Sequence, residues 1–194
     1  MQNEVLKRQL RKEVLRQRNA LSPVQLAEKS AVIIDRLLML DEYLDARWIM
    51  VYLDCRSEVR TGGLVARALA DGKRVAVPVT DTADSLLTPS LIVDFPGDLQ
   101  PGPWGIPEPK SQAVRPLDPT VLDLVITPGI VFDTSGYRIG YGYGYYDRFL
   151  RRMGQKAIYI GLAFELQLRP NTYPGPHDVP VHYILTEDRL IRVR

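Results

Sequence analysis

Residues 123–150 have the sequence DLVITPGIVFDTSGYRIGYGYGYYDRFL, in which a strand pattern, a turn, a glycine-rich loop and the start of a helix follow one another. The apolar, partly β-branched run at 124–126 is typical of a parallel strand that is buried on both faces. Pro128 and Gly129 end this strand. We expect a helix from Tyr145. The stretch therefore predicts a strand, loop and helix unit of an α/β protein.

The glycine-rich loop has the chemistry of a phosphate site. Gly140, Gly142 and Gly144 alternate with Tyr141 and Tyr143. Glycine permits positive φ and lets backbone NH groups approach a ligand closely. A helix that starts just after the loop would add its free NH groups and its positive dipole end. The spacing matches neither G-x-x-x-x-G-K-S/T nor G-x-G-x-x-G, and the glycines alone fit a mobile loop equally well.

Charged residues flank this loop. Arg138 precedes it and Arg148 follows it, so both are candidates for contacts to phosphate oxygens. The carboxylate of Asp147 would repel phosphate unless a cation lay between them, and magnesium bridges carboxylate and phosphate oxygens. Without other information, the helix dipole explains an aspartate in a first helical turn more simply.

Size and composition indicate a soluble globular protein with one domain, residues 1–194. The chain has 45% hydrophobic and 25% charged residues, and its net charge of +2 is too small to indicate nucleic acid or an anionic membrane as the main partner. Its single cysteine, Cys55, excludes an internal disulfide and is expected to be buried. No signal peptide or membrane span is recognisable, so we expect a cytoplasmic protein.

In the rest of the chain, segments with the apolar periodicity of a helix alternate with segments typical of a strand. Helices are predicted at 4–18, 22–40 and 61–70, and strands at 48–53, 74–79, 86–95, 157–164, 183–186 and 190–193. Ser22 and Gln25 form a capping box at the second helix. This order predicts an α/β domain with a largely parallel sheet and helices on both faces. Lys7 and Arg11 lie one turn apart on the first helix, where they form either a polyphosphate grip or a solvated basic face.

Two segments are candidates for ligand contacts. Glu58 lies in a loop at the carboxyl end of a strand, the sheet edge at which ligands of open α/β sheets bind, although an exposed loop glutamate is usually only solvated. Residues 96–119 form a long proline-rich connection, which is a candidate binding loop. Trp104 in this connection is either a wall of a ligand site or a plug over the core. His177 and His182 lack a third ligand nearby, so we expect loop hydrogen bonds and not a metal site.

The segment PGIVFDTSGYRIGYGYGYYDRFL, residues 128–150, resembles the signature of the 5-formyltetrahydrofolate cyclo-ligase family. KRQLR at 7–11, WGIPEP at 104–109 and PHDVPVH at 176–182 extend the resemblance in the family's order over nearly the whole chain. The chain departs from common members at Tyr143, a position that is often glycine or lysine.

The resemblance implies a three-layer α/β/α sandwich similar to the sugar-phosphate isomerase and CoA-transferase group. It also implies the ATP- and magnesium-dependent conversion of 5-formyltetrahydrofolate to 5,10-methenyltetrahydrofolate, with release of ADP and phosphate. In that reaction ATP phosphorylates the formyl oxygen, N10 attacks the activated carbon and phosphate leaves. Such phosphoryl transfer needs positioned groups and balanced charge, with no covalent nucleophile.

The resemblance further assigns roles to residues. Arg138 and Asp147 are implied to be catalytic, and Asp147 and Asp178 to hold magnesium. Contacts to ATP are implied for Lys7, Arg11, Arg138, Gly140, Tyr141, Gly142, Tyr143, Gly144, Tyr145 and Tyr146. Contacts to the folate are implied for Glu58, which faces the pterin, and for Trp104, Glu108, Tyr143 and Tyr146.

A monomer that binds neither nucleic acid nor membrane is expected. Two alternatives remain open from the sequence. One is another ATP-dependent ligase or kinase on the same scaffold. The other, which the near-neutral charge disfavours, is a single-stranded nucleic-acid binder that uses GYGYGYY as a stacking platform.

Overall fold

The computed structural model describes residues 2–81, 84, 86–102, 105–153 and 156–193. Within them the helices are α1 (Gln2–Asn19), α2 (Pro23–Leu38), α3 (Asp41–Leu44), α4 (Gly62–Ala70) and α5 (Tyr145–Arg151). The strands are β1 (Trp48–Val51), β2 (Arg74–Asp81), β3 (Leu86–Ile92), β4 (Leu99–Pro101), β5 (Pro107–Pro109), β6 (Leu124–Thr127), β7 (Val131–Phe132), β8 (Arg138–Ile139), β9 (Ile158–Leu162), β10 (Tyr183–Leu185) and β11 (Leu190–Arg192).

A seven-stranded sheet in the order β11-β10-β9-β6-β1-β2-β3 forms the centre of the domain. The five inner strands, from β10 to β2, run parallel, and the edge strands β3 and β11 are antiparallel to their neighbours. All four residues of β6 are buried, as expected for a central parallel strand with both faces covered. The predicted largely parallel sheet is confirmed.

Two apolar cores lie on opposite faces of this sheet. On one face, Ile33 and Leu37 of α2 and Leu64 of α4 belong to the same core as Ile49 and Ile126 of the sheet. On the other face, Phe149 and Leu150 of α5 belong to the core that contains Met50 and Val125. Alternate residues of each strand thus enter different cores. The predicted α/β/α arrangement is confirmed, with a second helical layer that is thin because α5 has only seven residues.

Helix α1 joins a third apolar cluster, separate from the two cores on the sheet. Its Val14 is fully buried against Ile130, Val131 and Ile139 of the β7–β8 hairpin. Polar side chains on the same helix contact the loops that follow β1 and β6. Helix α1 therefore lies over the carboxyl ends of central strands, where a ligand site is expected.

Element boundaries differ from the sequence predictions by a few residues. The capping box of Ser22 and Gln25 is present, but α2 ends at Leu38 and the short helix α3 follows it. The connection 96–119 is not one long binding loop. Its first part contains the β4–β5 hairpin, and its second part runs beside β3, where Leu91 N donates to Arg115 O at 2.9 Å. Among the described helices, none is long and apolar enough to cross a membrane.

Candidate active site

A cleft of about 540 Å³ lies beside the loops after β1 and β6, the glycine loop and α1. Most of the residues implied by the family resemblance line it, although they come from distant parts of the chain. These are Lys7, Arg11, Glu58, Glu108, Arg138, Gly140, Tyr141, Gly142, Tyr143, Gly144, Tyr145, Tyr146, Asp147 and Asp178. Trp104 lies outside the described residues. The fold thus brings the predicted set together in one place.

Two of the three alternating glycines in the loop have the positive φ that glycine permits, and Gly140 does not. Gly142 has φ +104° and Gly144 has φ +66°, values that residues with a side chain rarely adopt. Gly144 directly precedes α5, so the loop leads into the first NH groups of that helix. Arg11 Nε donates to Gly140 O at 2.8 Å and ties the loop to α1.

Arg148 does not line the cleft. Its Nη2 donates to Tyr143 O at 2.7 Å, and its guanidinium lies 5.5 Å from the centroid of the Tyr145 ring. Its guanidinium thus stabilises the glycine loop, and the contact of Arg148 to phosphate stays a prediction.

The buried Arg138 and the half-buried Asp147 form a charge pair in the cleft. Arg138 Nη2 donates to Asp147 Oδ1 at 3.2 Å, and Nη1 donates to Val179 O at 2.7 Å. Burial lowers the pKa of Arg138, and the negative charge of Asp147 opposes that effect. Val179 N also donates to Asp147 Oδ1, at 3.1 Å. Both side chains are consequently held in fixed orientations by the segment around Val179.

Lys7 and Asp178 form a second charge pair. Lys7 Nζ donates to Asp178 Oδ2 at 2.8 Å, and Gly175 N donates to the same oxygen at 2.9 Å. Burial favours the neutral acid, but these hydrogen bonds and the charge of Lys7 outweigh it and hold the pKa of Asp178 below its usual value. Asp178 is therefore a carboxylate at neutral pH.

These two carboxylates fit a magnesium ion that is shared with phosphates. The described residues contain no group of three or more histidine, cysteine or acidic side chains that could enclose a metal. Magnesium needs only one or two carboxylates when phosphate oxygens and waters complete its shell. Within the described part of the chain, Asp147 bonds through Oδ1 and Asp178 through Oδ2, which leaves the second oxygen of each side chain for a cation.

Glu58 is a buried hydrogen-bond acceptor and not the solvated loop residue that its sequence context suggests. Its side chain and backbone are only 7% exposed, and Oε2 accepts from Cys55 N at 3.0 Å. Burial raises the pKa of Glu58, whereas the charge of Arg18 and the Cys55 NH lower it. Cys55 is half-buried and lines the cleft, so the expectation of a core cysteine is wrong.

Two features of the site were not predicted. Arg18 is 1% exposed and donates to Ser57, Gly129 and Tyr141. Its position seven residues after Arg11 puts it on the same face of α1, and this spacing was the available signal. The second feature is the hydroxyl of Tyr146, which is buried and has no hydrogen-bond partner among the described residues.

Comparison with known proteins gives a consistent result. The model of the "5-formyltetrahydrofolate cyclo-ligase family" matches residues 3–187. The 5-formyltetrahydrofolate cyclo-ligase of Mus musculus is 31% identical over 193 residues, with 94% of each chain covered. That of Haemophilus influenzae is 31% identical over 186 residues, with 94% of this chain and 98% of the relative covered.

A solved structure shares both the fold and the sequence. The NMR structure of Aquifex aeolicus 5,10-methenyltetrahydrofolate synthetase superimposes with a TM-score of 0.85 at 31% identity. The alignment covers 97% of this chain and 93% of that one. The resemblance read from the glycine loop and its companion motifs is thereby confirmed, and the chain belongs to the 5-formyltetrahydrofolate cyclo-ligase family.

Proposed function

We propose that this protein converts 5-formyltetrahydrofolate to 5,10-methenyltetrahydrofolate and splits ATP into ADP and phosphate as it does so. Its membership of the cyclo-ligase family supports this activity. The observation that supports the proposal most directly is the set of groups that line the cleft. Glycine-loop NH groups, cationic side chains, two carboxylates and a buried acceptor line the same cavity.

On the ATP side, the residues of this chain position phosphates and balance their charge. We assign this role to the loop Gly140 to Gly144 and to Lys7, Arg11 and Arg138. Arg11 is already bonded to the loop, so a phosphate there would meet NH groups and a guanidinium together. Tyr145 and Tyr146 follow the loop and complete the lining.

We assign the metal site to Asp147 and Asp178. A bound magnesium ion would supply positive charge to the phosphate oxygens during transfer. Arg138 holds the Asp147 carboxylate through Oδ1 and Lys7 holds the Asp178 carboxylate through Oδ2. These pairs keep both carboxyl groups oriented in the cleft.

On the folate side, Glu58 is the acceptor for the amino and ring NH groups of the pterin. Its burial excludes water that would compete for these hydrogen bonds. Glu108, Tyr143 and Tyr146 line the same cleft, and we assign them to the folate as well, together with Trp104. The partnerless hydroxyl of Tyr146 is a group that a bound substrate would satisfy.

The chemistry requires the two substrates to meet in line. An amide oxygen is a poor leaving group, so the formyl oxygen first attacks the γ-phosphorus of ATP and ADP leaves. N10 of the folate then attacks the formyl carbon and gives up its proton to water, and phosphate departs with the former formyl oxygen as the new ring closes. Arg138 lines the cleft, and we assign to it the stabilisation of the charge that moves between phosphate and formyl oxygens. No side chain of the protein forms a covalent intermediate in this route.

We further propose that the enzyme acts as a monomer in the cytoplasm. The single cysteine and the lack of any disulfide within the described chain are compatible with a reducing compartment.

Product stoichiometry tests the activity against its alternative. ADP and methenyltetrahydrofolate are counted in the same reaction with purified protein, magnesium and ATP. The proposal predicts one ADP for each methenyl product and almost no ADP without 5-formyltetrahydrofolate. ADP formed without any methenyl product would instead indicate a different ATP-dependent ligase or a kinase.

A further inference from the structure

Arg18 is a buried cation that joins three segments of the cleft wall. It lies in the last turn of α1 and is 1% exposed. Its Nε donates to Ser57 Oγ at 3.1 Å, its Nη1 to Gly129 O at 3.2 Å and its Nη2 to Tyr141 OH at 3.2 Å. These partners come from the loop after β1, the loop after β6 and the glycine loop.

Among the described residues, no carboxylate neutralises this guanidinium by direct contact. Arg18 takes part in none of the ion pairs among the described residues. A buried charge is costly unless other groups compensate it. The charge of Arg18 acts instead on Glu58, because it is the strongest of the influences that lower the pKa of that buried acid.

Tyr141 connects the two charges. A guanidinium has only donors, so the Tyr141 oxygen accepts from Arg18 and the hydroxyl proton remains available. A hydrogen bond from Tyr141 is a further influence that lowers the pKa of Glu58. The polar groups thus form a chain from Arg18 through Tyr141 to Glu58. Arg18 itself does not line the cleft, whereas the other two residues do.

We propose that Arg18 is a positioning residue of the folate site, which fixes the Tyr141 hydroxyl against Glu58 and balances the negative charge of that carboxylate. The inference rests on the proposed function, in which Glu58 accepts hydrogen bonds from the pterin. Arg18 would then determine folate affinity and its pH dependence without touching the substrate.

Direct binding of 5-formyltetrahydrofolate provides the test. Calorimetry without ATP gives the affinity for 5-formyltetrahydrofolate from about pH 5 to 9. The affinity should fall as pH falls, because Glu58 then takes up a proton. Arg18→Gln should move this loss to higher pH and weaken binding about tenfold near pH 7, while the Kd of Mg-ATP changes less than about twofold. Arg18→Lys keeps the positive charge but cannot make the three hydrogen bonds of the guanidinium. Its pH profile should therefore lie closer to that of the wild type than its folate affinity does.

Arg169→Gln is the matched control. Arg169 also ties α1 to a loop, with Nη2 bonded to Glu13 and Gln17 at 2.8 Å and Nη1 bonded to two carbonyls, but it does not line the cleft. Its loss should lower the unfolding midpoint and leave the folate pH profile unchanged. If Arg18→Gln does not fold, Tyr141→Phe carries the test through the pH profile of folate binding alone, with a smaller shift in the same direction, because Tyr141 is itself assigned to ATP.

The outcomes separate this inference from the proposed function. Wild-type protein that binds no 5-formyltetrahydrofolate would overturn the proposed function and this inference with it. Wild-type protein that binds, together with variants whose pH profile is unmoved or whose folate and Mg-ATP affinities fall equally, would overturn only the role of Arg18. In that case Arg18 would be a structural residue.

Discussion

Lys7 Nζ and Asp178 Oδ2 lie 2.8 Å apart, although the two residues are 171 positions apart in the chain. Both line the cleft, where we assign Lys7 to phosphate and Asp178 to magnesium. Without ligands, these opposite charges neutralise each other. Mg-ATP offers phosphate to Lys7 and magnesium to Asp178. Its binding therefore replaces one ion pair by two contacts between opposite charges. The ion pair therefore lowers the free-energy cost of placing two charges in the cleft when no ligand is bound.

Asp178→Asn tests the metal part of this assignment. The concentration of magnesium that gives half-maximal turnover should rise about tenfold, because one charged ligand becomes neutral. Turnover is measured against magnesium at saturating ATP and folate. Asp71→Asn is the control, since Asp71 forms a similar 2.8 Å pair with Arg67 outside the cleft. An equal magnesium requirement in wild type and Asp178→Asn would exclude Asp178 as a ligand.

Asp147→Asn should keep the fold and lose turnover. The asparagine oxygen can still accept from Val179 N and Arg138 Nη2, so the unfolding midpoint should change little. The lost charge should lower kcat about a hundredfold, the scale seen when one electrostatic group of a transition state is removed. The measurement is kcat at saturating and at limiting magnesium. Full turnover at limiting magnesium would mean that Asp147 only pairs with Arg138.

Glu58→Gln should separate the two substrates. Hydrogen bonds to a charged group contribute about 1.5–3 kcal/mol, so the KM for 5-formyltetrahydrofolate should rise about tenfold or more. The KM for ATP should stay within about twofold, because Glu58 is assigned only to the pterin. Steady-state kinetics with each substrate varied in turn gives both constants. Parallel changes in the two constants would remove Glu58 from the pterin site.

The same variant has a predicted effect on stability. Burial raises the pKa of Glu58 in the folded state, so the folded protein binds a proton more tightly than the unfolded chain. This contribution is fully present below the unfolded value of about 4.3 and is lost as pH rises through the folded pKa. Glu58→Gln should therefore unfold at a higher temperature than wild type near pH 8, and the difference should disappear near pH 4. Thermal unfolding followed by circular dichroism measures it, and a constant difference across pH would contradict the argument.

Gly142→Ala should weaken ATP binding through backbone strain alone. Gly142 has φ +104°, and a side chain in a left-handed conformation costs about 1–2 kcal/mol, which corresponds to about tenfold in the KM for ATP. Gly140→Ala is the comparison, because a Cβ there would meet nothing within 4 Å and its φ is not positive. Gly140→Ala should raise the KM for ATP clearly less than Gly142→Ala does. Equal KM values for ATP in the two variants would show that loop conformation does not control the site.

Tyr146→Phe should stabilise the free protein and impair the enzyme. The hydroxyl is buried without a partner in the described part of the structure, so its removal should raise stability by about 1 kcal/mol. If a bound substrate supplies the missing partner, kcat/KM should fall about tenfold. Chemical denaturation and steady-state kinetics measure the two effects. A stabilised variant with wild-type kcat/KM would remove the hydroxyl from the substrate site.

Most of the fold follows from local sequence patterns. Strand β6 was predictable because its apolar run requires cover on both faces, and α2 because Ser22 and Gln25 cap it. The second half of 96–119 was not predictable as a segment beside β3. Its proline-rich sequence has no periodicity, and the backbone bonds of Leu91 and Arg115 that hold it there are tertiary contacts.

The sequence predicted site residues only where they belong to a recognisable motif. The glycine loop and Asp147 stand in one recognisable stretch, whereas the burial of Glu58 depends on α1 folding over the loop after β1. Arg18 looked like one basic residue among many on an amphipathic helix. Its role becomes visible only when the fold places Tyr141, more than a hundred positions later, within 3.2 Å. Sequence patterns specify local elements well, but they do not specify which distant polar groups become partners.

The most direct measurement is the absorbance of methenyltetrahydrofolate formed from 5-formyltetrahydrofolate by the purified wild-type protein, with and without Mg-ATP. The account predicts that product accumulates only when both substrates and magnesium are present. A protein that binds ATP but forms no methenyl product would contradict the account, because the cleft would then act on a different substrate. Product formed equally well without ATP would contradict the assigned route through a phosphorylated formyl oxygen.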